Sequence, residues 1–238
     1  MSLKKLISIF FLISNFIFAL EIQPTMFEQR IDGSGGYREF IVSNNTNSTL
    51  RYKLTIFPGS KKDRDMSKWT EVSPKILTIK PGRNGIFKIF VQTPKEISDG
   101  EYDYTLSLKT MDLPKLPGET DKIASAAKLN FDFRLNFIGY AGDLNPDIDF
   151  INPVVSTNAN GKTVISGTIV NKTPKRGIYC AVNVISGENS LNYSEIRVPV
   201  NGEKQFSVTL EPNVKKSDIT GITIRNLENS DIILKKPI

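Results

Sequence analysis

The 238-residue chain has no histidine, one cysteine and one tryptophan, and no stretch of it keeps a helical period. Each absence removes a class of function. Without histidine, the Ser-His and Cys-His arrangements that activate a nucleophile are closed to it. With a single cysteine as well, no Cys/His cluster of the zinc-binding kind is available. Cys180 has no partner in the chain, so no intrachain disulfide forms, and an exported protein of this sequence depends on apolar cores. Cys180 itself falls in an apolar strand, Gly177–Val184, and reads as buried.

The remaining motifs that suggest chemistry dissolve on inspection. Gly33-Ser34-Gly35-Gly36 is glycine-rich, but no Lys-Ser/Thr follows it and no helix pattern opens there, so it reads as a strand connection and not a phosphate cradle. Asp143, Asn145, Asp147 and Asp149 alternate as a calcium loop begins, yet Ile148 stands where that loop needs glycine and Val154 where it needs glutamate. The segment reads as a linker. No pair of carboxylates stands in a context that marks an acid and a base. The chain is expected to be no enzyme, with no cofactor, no metal and no small-molecule substrate.

What is present begins with an export pattern. Lys4 and Lys5 precede an almost wholly apolar run, Leu6–Leu20, with the small Ala19 before a cleavage point. The run is short for a membrane span and no second one follows. A signal peptide over residues 1–19 is the expectation, with a retained N-terminal anchor as the alternative. In either case the folded part lies outside the cytoplasm, and for a bacterial chain that means the periplasm. The formal charge is +6, or +4 without Lys4 and Lys5, and the two signs are interspersed. No basic block or aromatic-interleaved stripe points to nucleic acid.

Beyond the leader, strand signals recur between Gly, Pro, Asn and Asp punctuation, the pattern of an all-β chain. The first group covers Glu21–Glu28, Tyr37–Ser43, Leu50–Phe57, Trp69–Ile79, Gly85–Gln92, Glu101–Met111 and Lys128–Tyr140. Seven strands in about 120 residues is an immunoglobulin-like count. Tyr102, just after Asp99-Gly100, stands where a tyrosine corner would sit. The pattern breaks over Ala141–Pro146, and a second set follows from Asp147–Ile151 to Asp231–Leu234. The expected organisation is two immunoglobulin-like β-sandwiches in tandem, over residues 20–142 and 143–238.

One strand stands out. In Lys128–Tyr140, the large apolar residues Leu129, Phe131, Phe133, Leu135 and Phe137 alternate with Asn130, Asp132, Arg134 and Asn136. Period two sends the two sets to opposite faces. At a sheet edge, such a strand offers unpaired backbone groups and an apolar row together, which suits docking of another protein. Inside a sheet, the same row is ordinary core. The long connection before it, Asp112–Ala126, carries Pro114, Pro117 and Gly118 and exceeds what a tight hairpin needs.

Leader, tandem sandwiches and alternating last strand together resemble a divergent member of the periplasmic PapD-like chaperones of pilus and fimbria assembly. Ile22-Gln23-Pro24-Thr25 looks like the family's first strand, and Phe40-Ile41-Val42-Ser43-Asn44 like its second. Val72-Ser73-Pro74 through Lys80-Pro81-Gly82 resembles its proline, apolar run and Pro-Gly turn. The resemblance implies donor-strand complementation, in which the chaperone lends its last strand to a pilin or fimbrial subunit that lacks one. Leu129, Phe131, Phe133, Leu135 and Phe137 would then be the subunit-binding residues, and an outer-membrane usher a further partner. Family members also carry a basic pair that holds the subunit's terminal carboxylate. Here the first such position is Met26 and the second falls at Asn136 or Ile138, which leaves Arg134 and Arg30 as candidate anchors. The competing reading is a non-chaperone envelope or surface protein with tandem spacer or binding domains.

Overall fold

The computed structural model describes residues 21–112 and 131–238. The expected signal peptide, Leu129 and most of the connection before the last strand of the first group lie outside the described residues. Among those that are described there is no α-helix, only strands and three-residue 3-10 turns.

Among the described residues, nine strands come first. They are β1 (Glu21–Gln23), β2 (Glu28–Arg30), β3 (Gly36–Ser43), β4 (Leu50–Pro58), β5 (Thr70–Ser73), β6 (Ile76–Ile79), β7 (Asn84–Val91), β8 (Gly100–Thr110) and β9 (Asp132–Ala141). One sheet runs β1-β3-β7-β5 and the other β2-β9-β8-β4-β6. Eight more strands follow: β10 (Ile148–Thr157), β11 (Thr163–Asn171), β12 (Ile178–Ser186), β13 (Asn189–Ser190), β14 (Ser194–Val198), β15 (Glu203–Thr209), β16 (Gly221–Asn226) and β17 (Ile232–Pro237). They form a three-stranded sheet, β10-β11-β15, and a five-stranded one, β13-β12-β16-β17, with β14 also on β12. The fold is all-β, two sandwiches in tandem.

The chain divides into two compact units. Of the described residues, the first holds 21–27, Ile31–Lys95, 102–112 and 131–139. The second takes Tyr140–Ile238 together with Glu28–Arg30 and Glu96–Glu101.

Prolines decide where the chain changes sheet. The sequence pattern joins Trp69 to Ile79 as one strand, but the chain divides at Ser73-Pro74-Lys75. β5 then pairs with β7 in one sheet, and β6 pairs with β4 in the other. Pro74 has no N–H to give a ladder, so the strand cannot continue through it. Pro24 stands in the same way between β1, which pairs with β3, and β2 in the opposite sheet. At β10 the proline is absorbed instead. Register shifts between Ile151 and Val154, Asn152 takes a φ of 52°, and the strand runs on past Ile151 to Thr157. That is bulge behaviour, in which extra residues leave the ladder and pairing resumes.

The core of the first unit is aromatic. Phe40 on β3 stacks on Phe87 across the ladder at 4.9 Å and on Phe137 of the facing sheet at 5.0 Å. Tyr104 meets Phe137 edge-on at 5.6 Å. The second unit packs Ile165, Ile169, Val182, Ile222 and Ile224 around Phe150 and Phe206. Gly167 is required there, because a Cβ at that position would collide with the Phe150 ring. Cys180 lies in the same core with no exposed surface, and burial pushes its thiol up to about 12.

Candidate functional site

β9 is where the sequence pattern and the fold meet. β8 covers one side of it: Thr110 N–H donates to Phe131 O at 2.9 Å, and Phe131 N–H donates to the Thr110 hydroxyl at 2.8 Å. On its other side the sheet ends with β2, which has three residues against the ten of β9. Ile138 N–H donates to Phe27 O at 2.9 Å, so the covered stretch lies towards the end of β9. Three residues of strand span about 10 Å, against roughly 33 Å for ten. Among the described residues, Asp132–Asn136 therefore has no strand on that side.

Side chains along the same face change environment step by step. Phe137 has no exposed surface and belongs to the aromatic core; Leu135 and Phe133 are half-buried; Phe131 is 45% exposed. Phe131 and Phe133 stack on each other with centroids 5.6 Å apart. The five-residue row of the sequence thus divides. Phe137 serves the fold, Phe131, Phe133 and Leu135 extend beyond it, and Leu129 lies outside the described residues. Gly139 follows because a Cβ there would lie 2.6 Å from Ile31 Cγ2.

The opposite face of β9 is polar. Asp132 and Arg134 form an ion pair at 3.1 Å, and the Ser107 hydroxyl also donates to Asp132. That hydroxyl, with Arg134 adding to it, holds the Asp132 carboxyl below its ordinary range. The Arg134 guanidinium lies 5.5 Å from the centre of the Phe57 ring. Asn136 is exposed on the same face. Of the two candidate anchors, Arg134 is thus already engaged with a carboxylate. Arg30, in the second unit, lies 3.7 Å from Asp143, and its backbone N–H donates to Glu228 at 3.2 Å. Met26, the position where an anchor is expected, is half-buried, and its carbonyl accepts from the Arg38 guanidinium at 3.3 Å. Tyr102 is buried, with Trp69 5.4 Å from its ring and the Arg64 guanidinium over it at 5.1 Å.

A second cluster, within the second unit, had no signal in the sequence. Arg197 lies between Glu28, at 3.2 Å, and Glu101. Arg176, 2% exposed, holds Glu228 at 2.7 Å and the Leu144 carbonyl at 3.0 Å, and its guanidinium lies 3.5 Å from the centre of the Tyr140 ring. Glu28, also buried, accepts from the Tyr179 N–H at 3.1 Å and lies 3.9 Å from Arg176. Burial raises the Glu28 carboxyl although both arginines pull the other way. Tyr140 donates to Glu228 at 2.9 Å, and burial chiefly pushes its phenol up to about 12. Every carboxylate in the cluster faces a guanidinium of the same cluster, an arrangement that ties segments of the chain together.

The chain is similar to several solved structures. One is the CupB2 chaperone of Pseudomonas aeruginosa, at 12% identity and a TM-score of 0.44, over 92% of this chain and all of the other. A second is the E. coli chaperone DraB, at 9% identity and a TM-score of 0.46, over 93% of this chain and 98% of the other. A third is the Salmonella enterica SafA pilin in complex with the SafB chaperone, matched at 14% identity and a TM-score of 0.44, over 93% of this chain and 94% of the other. No protein-family model and no curated protein matches the sequence.

Proposed function

We propose that this chain is a periplasmic chaperone that captures pilus or fimbrial subunits by lending them β9. The carrying observation is that a stacked pair of phenylalanines, Phe131 exposed and Phe133 half-buried, stands on a strand that among the described residues has no neighbour on one side over Asp132–Asn136. An edge with unmade backbone bonds and an apolar row beside it is the ground for strand addition. Backbone bonds along the edge would set the register, and burial of each large apolar side chain contributes about 1.5–3 kcal/mol. The occupant is a polypeptide with a strand missing from its own sheet. That it is a pilus subunit follows from the sequence resemblance carried by Ile22–Thr25, Phe40–Asn44 and Val72–Gly82. An outer-membrane usher as the receiver of the loaded complex rests on the same resemblance. The competing spacer reading makes the row ordinary core, and the 45% exposure of Phe131 disfavours it.

Site-specific photo-crosslinking tests the proposal. A benzophenone side chain replaces Phe131 in exporting cells, with replacement of Tyr193, which is 61% exposed on the second unit, as the control. The expected result is an adduct at position 131 and none at 193, with peptide mass mapping placing it in a strand-lacking pilus subunit. Absence of an adduct, or equal adducts at both positions, overturns the proposal.

A further inference from the structure

We infer that the second unit carries a binding site for a small organic carboxylate with an apolar body, on the outer face of β12, β16 and β17. Strand register builds it. Asn183 of β12 stands opposite Thr223 of β16, and Thr223 opposite Lys235 of β17. Their neighbours Val182, Val184, Ile222 and Ile224 lie in the core, so period two sends this row to the outer face. A cleft of about 290 Å³ opens over the row, bounded by the turn that carries Glu188.

A polar row on the outside of a sandwich is ordinarily well solvated. Here Asn183 is 7% exposed and Thr223 8%, yet both keep unspent polar groups. Asn183 Oδ1 accepts from the Ser190 hydroxyl at 3.3 Å. The Asn183 NH2 group and the Thr223 hydroxyl have no hydrogen-bond partner among the described residues, and both side chains line the cleft. Buried polar groups are nearly always paired, so two unspent ones at the floor of one cleft call for an occupant. A ligand gains by displacing cleft water only if it reproduces the bonds that water makes there.

The chemistry of that occupant follows from the groups around it. Lys235 is exposed and in no ion pair among the described residues. Arg225 gives one N–H to the Ser230 carbonyl at 3.3 Å, a neutral partner that leaves its charge uncompensated. Glu188 also lines the cleft, so two cations and one anion leave a net charge of +1. That balance suits a singly charged ligand and not a doubly charged one. A carboxylate is acceptor-only, and its two oxygens can take the amide, the hydroxyl and the ammonium together. Ile185 and the half-exposed Ile232 stand beside the donors and suit an apolar body. Ligand pockets run from about 300 to 1,000 Å³, so this cleft takes a small molecule.

The test is an NMR titration of the isotopically labelled, exported protein with hexanoate. Hexanamide serves as the neutral counterpart and inorganic sulfate as the doubly charged anion. Hexanoate should give saturable shifts at the Asn183 side-chain NH2 and the Thr223 amide, with Kd on the order of 1 mM. Hexanamide and sulfate should each bind at least about fivefold more weakly, since one lacks the charge and the other the apolar body. Thr223→Val removes the hydroxyl and Lys235→Met the charge, and each should weaken hexanoate by about fivefold or more. Lys235→Arg should stay within about threefold of the parent. Lys235 is exposed, so its variants keep the test valid if Thr223→Val unsettles the sheet. No shift at Asn183 and Thr223 up to about 20 mM hexanoate overturns the site. Equal binding of hexanamide or sulfate overturns the carboxylate assignment, and so does unchanged affinity in Lys235→Met.

Discussion

Phe137 stacks on Phe40 at 5.0 Å across the first sandwich, and this contact marks where β9 stops serving its own fold. Phe131, on the same face of the same strand, is 45% exposed. Opposite results are expected when the two positions are changed. Phe137→Ala should cost the first unit about 3–5 kcal/mol, the usual cost of emptying a buried phenyl site. Phe131→Glu should leave stability within about 0.5 kcal/mol, as exposed substitutions do, and abolish partner capture. Trp69, the only tryptophan, lies in the first unit and reports its unfolding by fluorescence. Urea titrations of both variants settle the matter. A large loss of stability in Phe131→Glu would return that residue to the core and remove it from the docking surface.

Tyr104 offers a smaller and sharper test of the same core. Its ring packs edge-on against Phe137, yet its hydroxyl is buried and has no hydrogen-bond partner among the described residues. A buried donor left unmade costs about 1–3 kcal/mol. Tyr104→Phe removes the hydroxyl and keeps the ring. The variant should match the parent or exceed it by about 1 kcal/mol in the urea transition followed at Trp69. A clear loss of stability would mean that the hydroxyl has a partner, such as an ordered water.

These cores show what a sequence can and cannot announce. The alternation in Lys128–Tyr140 gives the faces of β9 directly, because strand geometry alone sets period two. It does not separate Phe131 from Phe137, since both obey the same parity. What separates them is where the facing sheet and the short β2 end, and those lengths are fixed by distant segments. Pro24 and Pro74 are legible as breaks, but not as changes of sheet, which depend on which neighbour each half pairs with. The cluster of Glu28, Glu101, Tyr140, Arg176, Arg197 and Glu228 gives no local signal at all. Its members are scattered through the chain, and each alone reads as a solvated charge or a strand tyrosine.

Arg176 is the member of that cluster whose loss should matter most. Its side chain is 2% exposed, and it holds Glu228 and the Leu144 carbonyl while lying over Tyr140. Arg176→Ala leaves the buried Glu28 and the partly buried Glu228 short of a counter-charge and opens a cavity. Breaking a buried pair from one side costs about 3–5 kcal/mol. Cys180, the only cysteine, lies in the core of the second unit and so reports its opening. Reaction with a thiol reagent in rising urea should begin at a lower concentration in Arg176→Ala, while the Trp69 transition of the first unit moves less. Equal movement of the two transitions, or none at Cys180, would show that Arg176 does not support the second unit in this way.

Glu28 gives the cluster a pH signature whose sign is fixed. Its carboxyl ordinarily titrates at 4.5; in the folded chain burial raises it, against the pull of Arg197, the Tyr179 N–H and Arg176, with Glu101 adding to the rise. A carboxyl with a raised folded value holds its proton longer in the folded chain than in the unfolded one. The stability it contributes is therefore full below the unfolded value and is lost as pH climbs through the folded one. Glu28→Gln cannot titrate and provides the baseline. In urea titrations followed by far-ultraviolet circular dichroism from pH 4 to pH 8, the stability of the parent relative to Glu28→Gln should fall as pH rises above about 4.5 and then level off. The charge-assisted bond to Arg197 forms only with the ionised carboxylate, so its pull is already contained in the folded-state shift and is carried in the slope. A difference that grows in favour of the parent with rising pH would mean that the arginines outweigh burial and hold the Glu28 carboxyl below its ordinary value.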